Sequence, residues 1–310
     1  MNYGLIIFTM IIFSTLEVTG KMIGTSISPY VITVFRFLIG GLFLLPFALA
    51  YKKKKKIKLA ARDILRLTLP GIINVCISML FLQLAVYYGE AAISAILISA
   101  NSIFVAIFSH LILKEKISLF KIIGLVLGLT GITMIILNQP HNSADAINPA
   151  LGIFYGCSAS ITFGLFTVVS KKYIKEYGNL ITNSISFING SLILLILSLL
   201  FHRDFNFVLT TKNLLFMLYL GIFISGIGYL TYFEGLKKVS ATIGSMFFFL
   251  KPIIASVLAY LVFGEKLSSI QILGIFVIIT GLNLDLFRQK TIKHRLIVRS
   301  NHLAKSNQLK

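Results

Sequence analysis

One lysine in the middle of an apolar segment has the clearest chemical consequence in this sequence. Lys251 lies near the centre of the apolar run 240–263, about 17 Å from either end of the helix that this run predicts. A lysine side chain is too short to reach water over that distance, and an ammonium group at the bilayer centre costs roughly 2.5–3.5 kcal/mol. We therefore expect Lys251 either to anchor a carboxylate or phosphate of a substrate or to serve in a structural ion pair.

Pro252 and Asn101 are the candidate partners of this lysine. Proline at 252 leaves the carbonyl of Phe248 without its helical donor and should bend the helix. Bent helices at midplane expose backbone to ligands in carriers, although an inert packing kink fits the sequence equally well. Asn101 lies 150 residues before Lys251 and is its counterpart in the repeat described below. Other polar residues that could line a cavity are Tyr229, Thr231 and Tyr232 on one predicted span, and Ser78 and Gln83 on another.

Glu17 and Arg36 form a second candidate pair. Both lie inside apolar runs, one to two turns from the same predicted end of neighbouring spans. An ion pair would neutralise both charges and allow them to be buried. Glu17 is also a candidate proton-coupling carboxylate, since burial raises the pKa of a carboxyl group toward the working range.

The elements that position these residues are membrane spans. The 310 residues are 57% hydrophobic and only 13% charged, with a mean hydropathy of +0.91. A helix needs roughly 20 apolar residues to cross a bilayer. The sequence contains ten such runs, which predict an all-α polytopic membrane protein. They lie at about 3–20, 30–50, 67–88, 91–113, 119–137, 150–170, 180–201, 214–236, 240–263 and 269–287.

The distribution of basic residues predicts the orientation of these spans. The net charge of +19 does not indicate a nucleic-acid partner, because Lys and Arg cluster in short loops between apolar runs. With the N-terminus inside, most of the 29 basic residues fall on the cytoplasmic side, as the positive-inside rule requires. Both termini are thus predicted to be cytoplasmic in a bacterial inner membrane. The first run lacks a charged flank and a cleavage site, which predicts a retained span rather than a signal peptide.

An internal repeat divides the chain. A shift of 150 residues aligns 91–137 with 241–287 without a gap, and it also aligns Gly71 with Gly221. The informative identities are polar or small: Glu115/Glu265, Lys116/Lys266, Ser118/Ser268, Gly124/Gly274, Thr130/Thr280 and Gly131/Gly281. Each half holds five spans, an odd number, so the halves must insert with opposite orientation. Inverted repeats are the architecture of alternating-access carriers, with the substrate site near midplane.

These segments carry a family resemblance. GEAAISAILISANSIFVAIFSHLILKEKISLFKIIGLVLGLTG, the corresponding segment that begins at Lys237, and PYVITVFRFLIGGLFLLP at 29–46 each resemble part of an EamA domain. The chain is similar to drug/metabolite transporter permeases with tandem EamA domains, here 1–138 and 139–287, followed by a basic cytoplasmic tail, 288–310. The resemblance implies transport, often outward, of a small organic solute. Many members of that family have a carboxylate residue directly before the proline that corresponds to Pro252, whereas this chain has Lys251.

The function classes that remain are a carrier, a membrane enzyme and a channel. The sequence has no phosphate-binding G-x-x-x-x-G-K-[ST] loop and no H-E-x-x-H motif, and it predicts no cofactor. We expect a secondary transporter, with possible proton or ion coupling, for a metabolite or amino-acid-like solute that is anionic or zwitterionic. The leading alternative is a membrane enzyme or flippase acting on a lipid-linked substrate. A channel is disfavoured because Lys251 and its counterpart Asn101 differ.

Overall fold

Each of the ten predicted spans is helical in the residues that the structure describes. The computed structural model describes residues 3–23, 26–89, 91–137, 147–208, 210–254, 257 and 268–284, without the side chains of residues 17, 18, 21, 91, 92, 136 and 137. Six helices are long and apolar enough to cross a membrane, and four are shorter apolar helices. The ten are α1 (Tyr3–Ser14, continued by Leu16–Ile23), α2 (Pro29–Lys55), α3 (Ala61–Tyr88), α4 (Ala91–Ser99 and Asn101–Leu113), α5 (Leu119–Leu137), α6 (Pro149–Tyr177), α7 (Asn179–Leu200), α8 (Thr211–Leu236), α9 (Ala241–Ile254) and α10 (Ser269–Leu284).

Side-chain caps fix where several helices begin. Ser28, Asn148, Thr210 and Ser240 each accept a hydrogen bond from the backbone N–H three residues later, which satisfies a donor that the helix leaves free. The connection between α6 and α7 is a single residue, Gly178, with φ of +87°. Only glycine adopts this region readily. Helix α6 ends directly before it, at Tyr177, which lies beyond the predicted end at 170.

The two halves repeat in helix boundaries as well as in sequence. Helices α2 to α5 begin at Pro29, Ala61, Ala91 and Leu119, and α7 to α10 begin 150 residues later, at Asn179, Thr211, Ala241 and Ser269. The chain thus folds as two five-helix repeats, and the ten-helix, two-repeat fold predicted from the sequence is confirmed.

Contacts between the repeats obey a two-fold relation. Phe37 packs edge-on against Phe187, its own counterpart, with ring centroids 4.9 Å apart. A Cβ atom on Gly40 would lie 2.8 Å from the carbonyl oxygen of Gly221, and one on Gly190 would lie 2.6 Å from that of Gly71. The 150-residue offset relates Gly40 to Gly190 and Gly71 to Gly221, so each of these contacts is the equivalent of the other, as a two-fold axis requires.

Helices α5 and α10 make a second pair of close contacts that are related by the same 150-residue offset. In the packing of α5 against α10, a Cβ on Gly124 would lie 2.7 Å from the carbonyl oxygen of Gly281, and one on Gly131 would lie 2.6 Å from that of Gly274. Small residues at these positions let the backbones approach closely, which is how helices associate in a bilayer. The glycines that align in sequence are thus the contact points of the fold.

Both repeats carry irregular helical turns in corresponding regions. A π-helical segment occupies Ile72–Met79 in α3 and Leu220–Gly228 in α8. Helix α4 is interrupted at Ala100, and α9 passes through a 3-10 turn at Phe247–Phe249. π-Helical turns and broken helices are frequent at functional sites, and here they surround the middle of the bundle.

Connections from both halves of the chain meet at each end of the bundle. At one end, the α1–α2 connection pairs with the α7–α8 connection, where Ser28 N donates to Asn206 O over 2.9 Å and Val208 N to Ser26 O over 3.0 Å. At the opposite end, Glu115 after α4 contacts Lys171 of α6 and Ala241 of α9. The assignment of the second end to the cytoplasm still rests on the basic residues.

Candidate substrate cavity

A small, mainly apolar cavity lies at the centre of the bundle, where the repeats meet. Seven helices contribute to its wall, and the void between the lining residues, counted together with the open solvent at its mouth, is about 300 Å³. Six of the lining residues are repeat counterparts of one another, so the cavity straddles the two-fold relation between the halves. The lining consists of Phe13, Leu16, Arg36, Met79, Leu82, Ile98, Phe163, Ile224, Tyr229, Phe248 and Lys251.

Two cations face this cavity. Lys251 on α9 and Arg36 on α2 both line it, and they are 4% and 0% exposed. The Arg36 Cζ atom also lies 4.6 Å from the centroid of the Phe37 ring, a cation–π geometry. The sequence predicted either a substrate anchor or a structural ion pair for Lys251, and an ion pair with Glu17 for Arg36. The structure places both side chains in one low-dielectric cavity, where charges attract an anion far more strongly than in water.

Aromatic rings form most of the remaining wall. Tyr229 packs edge-on against Phe13, Phe163 and Phe187, with centroid distances of 5.3, 6.4 and 5.1 Å. Its hydroxyl donates to Asn74 Oδ1 over 3.5 Å. The rings give the cavity rigid apolar faces, and Tyr229 adds one polar edge.

Sequence reasoning did not single out Phe13, Met79 or Phe163. Phe13 and Phe163 are repeat counterparts, as are Met79 and Tyr229. Met79 and Tyr229 stand at the same point of their helices, at the C-terminal end of the π-helical segments. The 150-residue offset was the signal that could have found these residues, had it been applied beyond the polar positions.

The other predicted site residues lie around the cavity rather than in its wall. The Asn101 side-chain amide donates to Ile98 O across the break in α4. Pro252 and Tyr232 are buried, and the Ser78 hydroxyl donates to Ala159 O of α6 over 3.2 Å. The Phe248 carbonyl freed by Pro252 accepts the Ser99 hydroxyl over 3.4 Å. These groups hold the broken helices in place.

The predicted ion pair between Glu17 and Arg36 lies only partly within the described residues. Glu17 lies within α1, but its side chain is outside the described residues. Leu16, its neighbour, lines the cavity together with Arg36. Glu17 therefore remains a candidate coupling or pairing residue by position along the chain.

A second small cavity leads from the first toward one end of the bundle. It shares Leu16 and Leu82 with the central cavity and continues past Gly20, Gln83 and Val86. Gly20 and Val86 lie near the ends of α1 and α3 that are predicted to face outward. The chain of cavities thus runs away from the basic end of the bundle.

At the basic end of the bundle, Glu115 and Lys171 form an acid–base clamp between three elements. Glu115 accepts a hydrogen bond from Lys171 Nζ at 3.0 Å and from the Ala241 N–H at 3.1 and 3.0 Å. Lys171 also donates to Val239 O over 2.7 Å. These bonds connect the α4–α5 hairpin, the end of α6 and the start of α9.

Two five-helix repeats, mutually inverted and enclosing a charged central cavity, define a polytopic membrane transporter. A family model for the EamA-like transporter family matches residues 2–137 and 150–284. The chain belongs to this family, whose members are transporters and not enzymes.

Individual relatives agree with this assignment. An "Uncharacterized transporter" of Clostridium kluyveri is 38% identical over 285 residues, covering 90% of this chain and 91% of the relative. "Uncharacterized transporter YetK" of Bacillus subtilis is 24% identical over 282 residues, covering 91% and 85%. One solved crystal structure superposes with a TM-score of 0.72 at 16% identity, over 93% of this chain and 97% of that one, which shows the shared fold.

Proposed function

We propose that the protein is a secondary, alternating-access carrier that exports a small organic solute with a negatively charged group. The observation that carries this proposal is the convergence of Lys251 and Arg36 on one aromatic cavity between inverted repeats. The carboxylate or phosphate of the solute would contact the two cations, and its apolar part would lie against Phe13, Phe163 and Tyr229.

The proposed site includes Asn101 and Pro252 in supporting roles. Asn101 spans the break in α4, and Pro252 follows Lys251 directly, so both influence where the ammonium group points. A zwitterionic, amino-acid-like solute also fits the proposal if Glu17 lies near enough to accept its ammonium group. Glu17 is likewise the candidate for proton coupling. Export as the direction rests on the family resemblance.

The test is uptake of labelled solutes by proteoliposomes, with panels of anionic, zwitterionic and cationic metabolites of similar size. We expect saturable, competable transport of anions or zwitterions and little transport of cations. Lys251→Ala should reduce the transport of these solutes at least tenfold, since a hydrogen bond to a charged group contributes about 1.5–3 kcal/mol, and Lys251→Arg should preserve part of it.

The matched control is Lys121→Ala. Lys121 is 8% exposed but lies outside the cavity lining, and its Nζ donates to Lys116 O over 3.0 Å. This variant should transport like the parent. Unchanged transport in Lys251→Ala would refute the anion contact, whereas linear, non-saturable flux through the parent would refute the carrier.

A further inference from the structure

A seam of hydroxyl groups joins α4 to α9 on the basic side of the cavity. Ser102 Oγ donates to Ser245 O over 2.7 Å, and the hydroxyls of Ser109 and Thr242 lie 3.1 Å apart. All four residues are fully buried. Hydrogen bonds between helices in a bilayer are individually modest, but these two lie in series between the cavity and the end of the bundle.

The clamp described above fastens the end of this seam. The Glu115 carboxylate accepts the N–H of the first residue of α9, where the helix dipole also favours a negative charge. The backbone N–H of Glu115 donates to Ser109 O over 3.1 Å, which fixes the residue to the end of α4. Lys171 then ties the same carboxylate to α6. Separation of α4 from α9 at this end requires these charge-assisted bonds to break.

The repeat shows that the seam is specific to one half. At the counterpart positions of the three hydroxyl groups that form these bonds, Ser102 and Ser109 are replaced by Pro252 and Ala259, and Thr242 by Ala92. The acid and the base of the clamp do recur in the sequence, as Glu265 and Lys21, but those two side chains lie outside the described residues. The hydroxyl groups therefore distinguish the two ends of an otherwise symmetric pair of helices.

We infer that Glu115 and Lys171 are gate residues, and that they and the hydroxyl seam make the conformation closed on the basic, cytoplasmic end the resting state of the carrier. The inference rests on the proposed alternating-access function. It agrees with the second cavity, which leads from the centre toward the opposite end. Return of the cavity to the cytoplasm would then require the clamp to open.

The test measures access to the cavity from each side, independently of transport. Met79→Cys introduces a thiol in the cavity wall, in a background in which Cys76→Ser and Cys157→Ser remove both native thiols. A membrane-impermeant maleimide is added to sealed right-side-out or inverted vesicles. In the parent background, we expect faster labelling from the outside.

Lys171→Met should raise the labelling rate from the cytoplasmic side by about tenfold, the effect of losing roughly one charged hydrogen bond, and Glu115→Ala should raise it further, because it also loses the bonds from the Ala241 N–H. The double variant should show less than the product of the two single effects, because the Glu115–Lys171 bond is lost in either single variant. Ser102→Ala combined with Thr242→Val should produce a smaller increase in the same direction. Glu115→Gln, which keeps one acceptor oxygen, should fall between the parent and Glu115→Ala and guards against misfolding of the alanine variant.

The matched control is Glu234→Ala at the same end of the bundle. Glu234 accepts from Lys237 at 2.6 Å and from Asn179 at 3.0 Å, so it joins α7 to α8 but not α4 to α9. Its loss should leave labelling from the cytoplasm unchanged. The inference fails if Glu115→Ala labels like the parent, or if the parent is labelled faster from the cytoplasm. Saturable transport that persists in that case would leave the carrier function intact.

Discussion

The glycines near the two-fold axis lead to a prediction about stability, because two that are equivalent in the repeat pack against different atoms. Gly71 and Gly221 are counterparts by sequence and occupy equivalent positions in α3 and α8. A Cβ atom on Gly71 would lie 2.1 Å from the Ser186 carbonyl oxygen, which is backbone. On Gly221 it would lie 2.5 Å from Cγ2 and 2.6 Å from Cβ of Ile39, with the nearest backbone atom at 3.3 Å. We therefore expect Gly71→Ala to destabilise the protein more than Gly221→Ala.

The expected magnitude follows from what can move. Ordinary contact begins at 3.4 Å, so the new methyl group of Gly71→Ala requires a backbone shift of 1.3 Å. Overpacking of this kind costs about 1–3 kcal/mol, partly offset by the better helix propensity of alanine, at most about 1 kcal/mol. A net loss near 2 kcal/mol corresponds to a fall of about 4–8 °C in Tm. In Gly221→Ala, the contact with Ile39 Cβ at 2.6 Å requires a shift of only 0.8 Å to reach the same limit, and the loss should be smaller.

The assay is thermal unfolding of the purified protein in detergent, followed by loss of helical circular dichroism because the chain contains no tryptophan. Gly4→Ala is the control, since nothing lies within 4 Å of a Cβ at that position, and its Tm should equal or exceed that of the parent. A Tm for Gly71→Ala at or above that of Gly221→Ala would refute the packing argument.

Two further predictions use the same melting assay. Gly178→Ala should lower Tm by several degrees, because Gly178 has φ of +87° and forms the whole α6–α7 connection; an unchanged Tm would mean that the connection relaxes without strain. Asn179→Ala removes side-chain bonds to a carbonyl and a carboxylate of α8 at 2.8 and 3.0 Å and should cost about 1–3 kcal/mol. A gain in stability there would count against a structural role for that amide.

Much of the fold follows from the sequence because the bilayer imposes simple rules. A span must be long and apolar, and its loops must carry topogenic charge, so all ten helices are visible in the hydropathy pattern. The 150-residue offset, seen first in loop and glycine identities, reappears in the first residues of eight helices. The π-helical segments were not predicted, because a wider turn changes neither composition nor average hydropathy.

The site was only partly predictable for a similar reason. Lys251 could be recognised from the cost of a central charge alone. That Arg36 would share its cavity could not, because this depends on how α2 and α9 pack, and no periodicity in either segment encodes it. Lys171 resembled an ordinary loop lysine in sequence, whereas the extension of α6 to Tyr177 buries it at 7% exposure beside Glu115.

Phe37 and Phe187 occupy equivalent positions in the two repeats and contact each other, as identical residues do at the two-fold axis of a homodimer. A dimer of identical halves would bring every charge into the centre twice. Its cavity would hold two copies each of Arg36 and Lys251, and four mutually repelling cations in one small apolar cavity would be costly to bury. Joining the halves in one polypeptide removes that constraint, because Ser186 and Asn101 occupy the second positions. Because the two halves are fused, much of the apolar lining of the cavity can follow the two-fold relation while the charged residues in it do not.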